Sequence, residues 1–185
     1  MSSSRHACLV PHLTSSTPWV DTLQVELNPL PGGALSLRYE VTGDVAGLLI
    51  PRDRDATRSD GLWCHTCFEL FVAGDRTPGY REFNFSPSGQ WQAYAFRTYR
   101  EGGLLEPASA PEVTSEIHAG RLIVQARLPR ASLPPGDRLR IGLSAVLEAR
   151  DGYLSYWALR HAPGKPDFHH PDTFTLEIDL RNPQP

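Results

Sequence analysis

Along most of this chain apolar and polar residues alternate with a period of two, the mark of strands that bury one face. Thr22 to Leu27 places Leu23, Val25 and Leu27 on one side, and Ala34 to Val41 does the same with Leu35, Leu37, Tyr39 and Val41. Further strands are predicted over Val45 to Ile50, Cys67 to Ala73, Tyr80 to Ser86, Trp91 to Tyr99, Leu122 to Leu128, Leu139 to Leu147, Tyr153 to Leu159 and Phe174 to Leu180. The links between them carry turn chemistry: Pro31-Gly32-Gly33, Pro87-Ser88-Gly89, Glu101-Gly102-Gly103, Pro134-Pro135-Gly136 and Asp151-Gly152. The last of these sits between two apolar runs and reads as a hairpin turn. A helix is suggested only around Arg130 to Leu133, where Pro134 and Pro135 cut it short. About ten short strands with little helix predict an all-β, antiparallel β-sandwich or jelly-roll-like fold.

A length of 185 residues predicts one domain, 1–185. Its core is expected from about residue 14 to residue 182, with frayed ends. A chain of this size buries enough surface to fold without disulfides or metal. Three cysteines, Cys8, Cys64 and Cys67, are an odd set that suits a reducing compartment. The first ten residues lack the apolar stretch of a secretory leader, so a cytoplasmic location is expected. No apolar run is long enough to predict a membrane span. A net charge of −3 gives no reason to expect nucleic acid or an anionic membrane as partner. Oligomeric state is not set by any of these features.

Candidate chemistry concentrates in three stretches. The first is Gly61-Leu-Trp-Cys-His-Thr-Cys-Phe-Glu-Leu-Phe71. If extended, it puts Trp63, His65, Cys67, Glu69 and Phe71 on one face. Glu69 can then bond ligand hydroxyls while the Trp63 indole stacks on a sugar ring, or it can pair with Arg81 or Arg97 on a neighbouring strand. Cys64 and Cys67 have the spacing of a metal or redox pair but no second pair, and they are expected to be packing residues. The second stretch, Tyr80 to Tyr94, reads as a hairpin turning at Ser86-Pro87-Ser88-Gly89. It carries Asn84 and Glu82 on one strand, with Trp91, Tyr94, Phe96 and Arg97 on the other. Glu69 and Glu82 are also a conceivable glycosidase pair, at a separation the spacing does not fix. The third stretch runs from Leu154 to Asp172. Tyr153, Ser155 and Trp157 are expected to share a face, and the loop that follows presents His161, Lys165, Asp167, His169 and His170. Three histidines and an aspartate can bind metal or haem, or they can fix the loop through backbone hydrogen bonds. No nucleophile elbow, phosphate loop or dinucleotide-binding glycine pattern is present.

Leu62-Trp63, Cys67-Phe-Glu-Leu-Phe71, Glu82-Phe-Asn-Phe-Ser-Pro-Ser-Gly-Gln-Trp91, Leu154-Ser-Tyr-Trp157 and Gly164-Lys-Pro-Asp-Phe-His-His170 together resemble bacterial DOMON-like domain proteins. These are relatives of carbohydrate-binding module family 9 and of the cytochrome-type DOMON domains. The resemblance implies a β-sandwich with a cleft for sugar or haem. In the sugar-binding branch two tryptophans flank the sugar beside acid, arginine and amide groups. Trp63 with Glu69 would supply one wall and Trp157 the second, with Asn84 and Arg97 as polar contacts; Trp91 is a further candidate for stacking. The haem branch uses a methionine and a histidine, and the only methionine here is Met1. The expectation is a stand-alone module for a sugar or sugar-like polar metabolite, with no cofactor. Its ligand-binding residues would be Trp63, Glu69, Asn84, Trp91, Arg97, Trp157, His161, Lys165 and His169. The alternatives are a haem or metal protein built on His161, His169 and His170, and an enzyme acting on a sugar derivative with Glu69 as base.

Overall fold

The computed structural model describes residues 4–51 and 56–181. The expectation of a frayed end after Asn182 lies outside them. Twelve strands run as β1 (Arg5–Pro11), β2 (Val20–Pro29), β3 (Leu35–Gly43), β4 (Cys67–Gly74), β5 (Tyr80–Phe85), β6 (Trp91–Thr98), β7 (Glu101–Leu104), β8 (Glu112–His118), β9 (Arg121–Leu128), β10 (Arg138–Glu148), β11 (Leu154–Ala158) and β12 (Leu176–Asp179). Every pairing between them is antiparallel. Among the described residues helix is limited to single 3-10 turns, and none is long and apolar enough to cross a membrane.

The hydrogen-bonded order is β7-β6-β5-β4-β10-β11-β1-β2-β3-β9-β8, with β12 on the far part of β10. β1 joins the two halves: Arg5 to Leu9 pair with β2, whereas Val10 and Pro11 pair with β11. The sheet thereby folds over on itself as a sandwich. Leu23, Val25, Leu37, Tyr39 and Val124 of one half pack against Phe68, Leu70, Phe83, Phe85 and Leu143 of the other. The Tyr39 hydroxyl crosses the core and donates to the Glu69 carbonyl at 2.8 Å. Its ring lies 5.1 Å from that of Phe68.

The strands β2 to β6 and β9 to β12 form where they are predicted, and Asp151-Gly152 turns β10 into β11 with Gly152 at a φ of 85°, which favours glycine. Differences occur where alternation is weak. Residues 5–11, expected to fray, form β1; only Leu9 is buried there, so hydrogen bonding to two neighbours defines the strand. Glu101-Gly102-Gly103, read as a turn, belongs to edge strand β7, and β8 is a second edge with mostly exposed side chains. Val45 to Ile50 is no strand: Val45–Gly47 makes a 3-10 turn, and Leu48 makes only an isolated bridge.

The half built from β4, β5, β6, β10 and β11 is buried on both faces. In β4 every residue from Cys67 to Ala73 is buried. A second apolar cluster explains this. Phe174, with Phe168 and Tyr80 packed against it, covers Phe71 and Ala73 on the side away from the core. The segment between β11 and β12 therefore folds back over the outer face of this half.

Candidate functional site

Strand register places four polar side chains in one row across that outer face. Gln92 of β6 stands opposite Asn84 of β5, Asn84 opposite Glu69 of β4, and Glu69 opposite Ser144 of β10. All four are buried. Buried polar groups need hydrogen-bond partners, and one such bond lies within the row while two reach outside it. Ser144 Oγ donates to Glu69 Oε2 at 2.9 Å, Arg58 Nε donates to Gln92 Oε1 at 2.6 Å, and Asn84 Nδ2 donates to Glu82 Oε1 at 2.9 Å. Glu82 belongs to the next row, between Tyr94 and Phe71. Asn84 Oδ1 is buried with no partner among the described residues.

Above these rows lies a cleft of about 490 Å³, a size that suits a small molecule. Its floor is Glu69, Phe71, Glu82 and Val146, from the central strands. One flank is Tyr94 and Phe96 of β6 with Trp63 from the turn before β4. The other is Leu154 and Tyr156 of β11 with Phe168 from the covering segment. Trp63 is 53% exposed and has no ring partner among the described residues, so its indole face is available. Tyr80 and Phe96 stack at 4.8 Å and support one wall from behind.

The rim is fixed by a charged knot. Arg100 Nη2 donates to Asp167 Oδ1 at 2.8 Å, the Tyr99 hydroxyl donates to Asp167 Oδ2 at 2.6 Å, and the Arg100 amide donates to the Tyr80 hydroxyl at 3.1 Å. Arg100 holds a φ of 56°, the one positive φ outside glycine among the described residues. His169 shares a 2.8 Å hydrogen bond between Nδ1 and the Tyr80 hydroxyl, and its ring meets Phe71 and Phe96 edge-on. Its Nε2 stands 3.6 Å from Glu82 Oε2.

Burial governs the protonation of this floor. It pushes the Glu69 carboxyl up to about 8, the Glu82 carboxyl adds repulsion, and the Ser144 hydrogen bond and Arg100 oppose both more weakly. Burial likewise raises Glu82 to about 7 against the pull of its Asn84 hydrogen bond and of Arg100. His169 falls to about 4, because burial and the Arg100 charge disfavour its imidazolium more than Asp167 stabilises it. Near neutral pH the floor therefore holds a neutral imidazole beside two acids that share protonation.

The expected residues divide sharply. Trp63, Glu69 and His169 line the cleft, and Asn84 lies buried on the same face between Glu69 and Gln92. Trp91 and Trp157 point into the sandwich core, where the Trp157 indole N–H donates to Ser155 Oγ, so neither walls the cleft. Tyr156, one residue away on the opposite face of β11, supplies the flank expected of Trp157. Arg97 is exposed and pairs with Glu101, and Arg81 donates to the Ser132 carbonyl, so neither reaches Glu69. Residues 62–64 form a 3-10 turn, so the shared face predicted for this stretch holds only from Cys67 onward. Cys67 is buried as expected, whereas Cys64 is exposed at the cleft edge. Lys165 is exposed and off the cleft.

The three loop histidines diverge. His161 hydrogen-bonds the Val10 carbonyl and meets His12 edge-on, His169 enters the cleft, and His170 accepts from the Asp172 amide to cap the turn Pro171–Thr173. No three His, Cys, Asp or Glu side chains among the described residues gather into a metal-binding set. Sequence reasoning missed Tyr156, Phe168, Arg100 and Ser144 as site residues. A serine at 144 within the apolar run Ile141 to Leu147 is a signal that could have drawn attention.

No protein-family model matches the chain, and no curated protein matches it. Solved structures do share its fold. A protein of Bacteroides uniformis for which carbohydrate binding has been proposed superposes with a TM-score of 0.62 at 15% identity, covering 95% of this chain and 85% of that one. A carbohydrate-binding module of family 9 from Caldicellulosiruptor kristjanssonii, in complex with glucose, gives 0.60 at 11% identity, covering 93% and 82%. The same organism's module in complex with cellotriose gives 0.58 at 10% identity. At these identities the likeness is one of fold.

Proposed function

We propose that the chain is a binding module for a small, sugar-like polar ligand held in the cleft on the outer face of β4, β5, β6, β10 and β11. The observation that carries this reading is the pair of buried acids, Glu69 and Glu82, at the base of a cleft walled by aromatic rings. Rings such as Trp63 and Tyr156 offer flat apolar faces to the C–H side of a sugar, while Glu69 and Glu82 meet hydroxyls. A carboxyl near its pKa both donates and accepts, which matches the dual character of a hydroxyl. The fold shared with a glucose-bound module supports the reading, as does the resemblance of the Glu82–Trp91 motif to DOMON-like proteins. The test is calorimetric and fluorescence titration with mono- and disaccharides. Saturable binding with a fluorescence change that Trp63→Phe removes is expected, since Trp91 and Trp157 are shielded in the core and Trp19 packs against that core off the cleft. Saccharides that give neither heat nor fluorescence change would overturn the proposal.

The same two acids also favour a second reading, an enzyme acting on a sugar derivative. Burial that holds Glu69 protonated near neutral pH suits a general acid better than the base anticipated from sequence. Turnover of a bound saccharide derivative, lost in Glu69→Gln while binding persists, would select this reading over the first.

A further inference from the structure

The floor of the cleft is rich in acceptors, and the donors around it are already engaged. Glu69 and Glu82 are both buried on the cleft face. Asn84, on the same side of the sheet and directly across from Glu69, has its Oδ1 buried with no partner among the described residues. The Tyr94 hydroxyl donates to Asp60, and the Tyr80 hydroxyl is shared with His169. Arg100, the cation that lines the cleft, is tied to Asp167 and to the Tyr99 hydroxyl. His169, neutral, stands beyond hydrogen-bond distance of Glu82. Two buried acids thus face the cavity, and among the described residues no arginine or lysine forms an ion pair with either; Arg100 attracts them only from the rim. The remaining lining includes the rings of Trp63, Tyr94, Phe96, Tyr156 and Phe168.

From this geometry we infer that the ligand is cationic: an amine-bearing small molecule whose ammonium sits over Glu69 and Glu82, and which is an amino sugar if the sugar-binding reading above, on which this identification rests, holds. An ammonium brings three N–H donors and the positive charge that the acid pair lacks. A neutral hydroxyl brings one donor and no charge, and an anion is repelled. The surrounding rings add attraction of their own, because a cation over an aromatic face gains more where water is excluded.

The experiment is calorimetric titration at pH 7.5, where the acid pair carries about one negative charge, with glucose, glucosamine, N-acetylglucosamine, glucuronate and cyclohexylamine. Glucosamine is expected to bind about tenfold tighter than glucose, the order of one partly screened charge interaction. N-acetylation should return the affinity to that of glucose, and glucuronate should bind weakest. In Glu82→Gln the ratio of glucosamine to glucose affinity should fall toward one, with circular dichroism checking the fold; Glu69→Gln serves the same purpose if that variant does not fold. Equal affinity for glucose and glucosamine overturns the inference and leaves the sugar reading standing. Binding of cyclohexylamine with no saccharide sustains the cationic inference and overturns the sugar reading. Tightest binding by glucuronate overturns the inference, and silence across all five probes overturns both.

Discussion

Replacing Glu69 by glutamine should stabilise the protein, and by an amount that grows with pH. In the unfolded chain this carboxyl titrates near its ordinary value of 4.5, while burial beside Glu82 moves it to about 8 in the fold. The folded state therefore holds a proton that the unfolded state releases between these values. Stability from this group is fully present below pH 4.5 and is lost as pH rises through 8. Between pH 5 and pH 8 the loss at this one side chain is about 3 kcal/mol. For a chain of this length that corresponds to a drop in Tm on the order of 10 °C. Glutamine has no proton to lose, keeps an oxygen to accept from Ser144 Oγ, and brings an amide donor onto the strand opposite the unpartnered Asn84 Oδ1. The assay is thermal unfolding of wild type and Glu69→Gln from pH 5 to pH 8 at constant ionic strength. His169 and His161, both held low chiefly by burial, lose stability in the opposite direction, as pH falls below about 6.5. Their effect is common to both proteins and cancels in the difference between the two curves. That difference should widen steadily with pH. Parallel curves would refute the reasoning and mean that the carboxyl ionises in the fold as freely as in water.

Trp157→Ala empties a core position and should cost about 3–5 kcal/mol, measured by chemical denaturation; a cost below 1 kcal/mol would contradict the core placement. Trp63→Ala removes an exposed ring and should leave stability within about 0.5 kcal/mol while weakening ligand binding about tenfold, as read by the same denaturation and by calorimetry. Tyr39→Phe deletes the hydroxyl that crosses the core to the Glu69 carbonyl at 2.8 Å. It should cost about 1–2 kcal/mol through the orphaned acceptor, and an unchanged denaturation midpoint would show that this bond contributes nothing. Arg100→Ala should loosen the rim by freeing Asp167 and Tyr99, raising amide exchange in residues 165–170 with little change in global stability; unchanged exchange would rule out the knot as the clasp.

Local residue pattern was enough to place the strands whose two faces differ. In β2, β3 and β9 one face meets the core and the other meets solvent, so alternation names the inward residues Leu23, Val25, Leu37, Tyr39 and Val124 directly. It also singled out Glu69, an acid inside an otherwise apolar run. What it could not determine was phase in strands buried on both faces. In β11, Tyr156 and Trp157 are adjacent aromatics on opposite sides, and no local property distinguishes the core side from the cleft side. The tertiary structure decided it, because Phe168 and Phe174, distant in sequence from β4, fold over Phe71 and Ala73 and turn an outer face into an interior one. The row Gln92, Asn84, Glu69 and Ser144 likewise exists only through the register of four strands. Arg100 joins the site because its rim pairing with Asp167 closes across 67 residues of chain. Periodicity reports the neighbours along a strand, while the cleft is made of neighbours across strands and of a segment that returns to cover them.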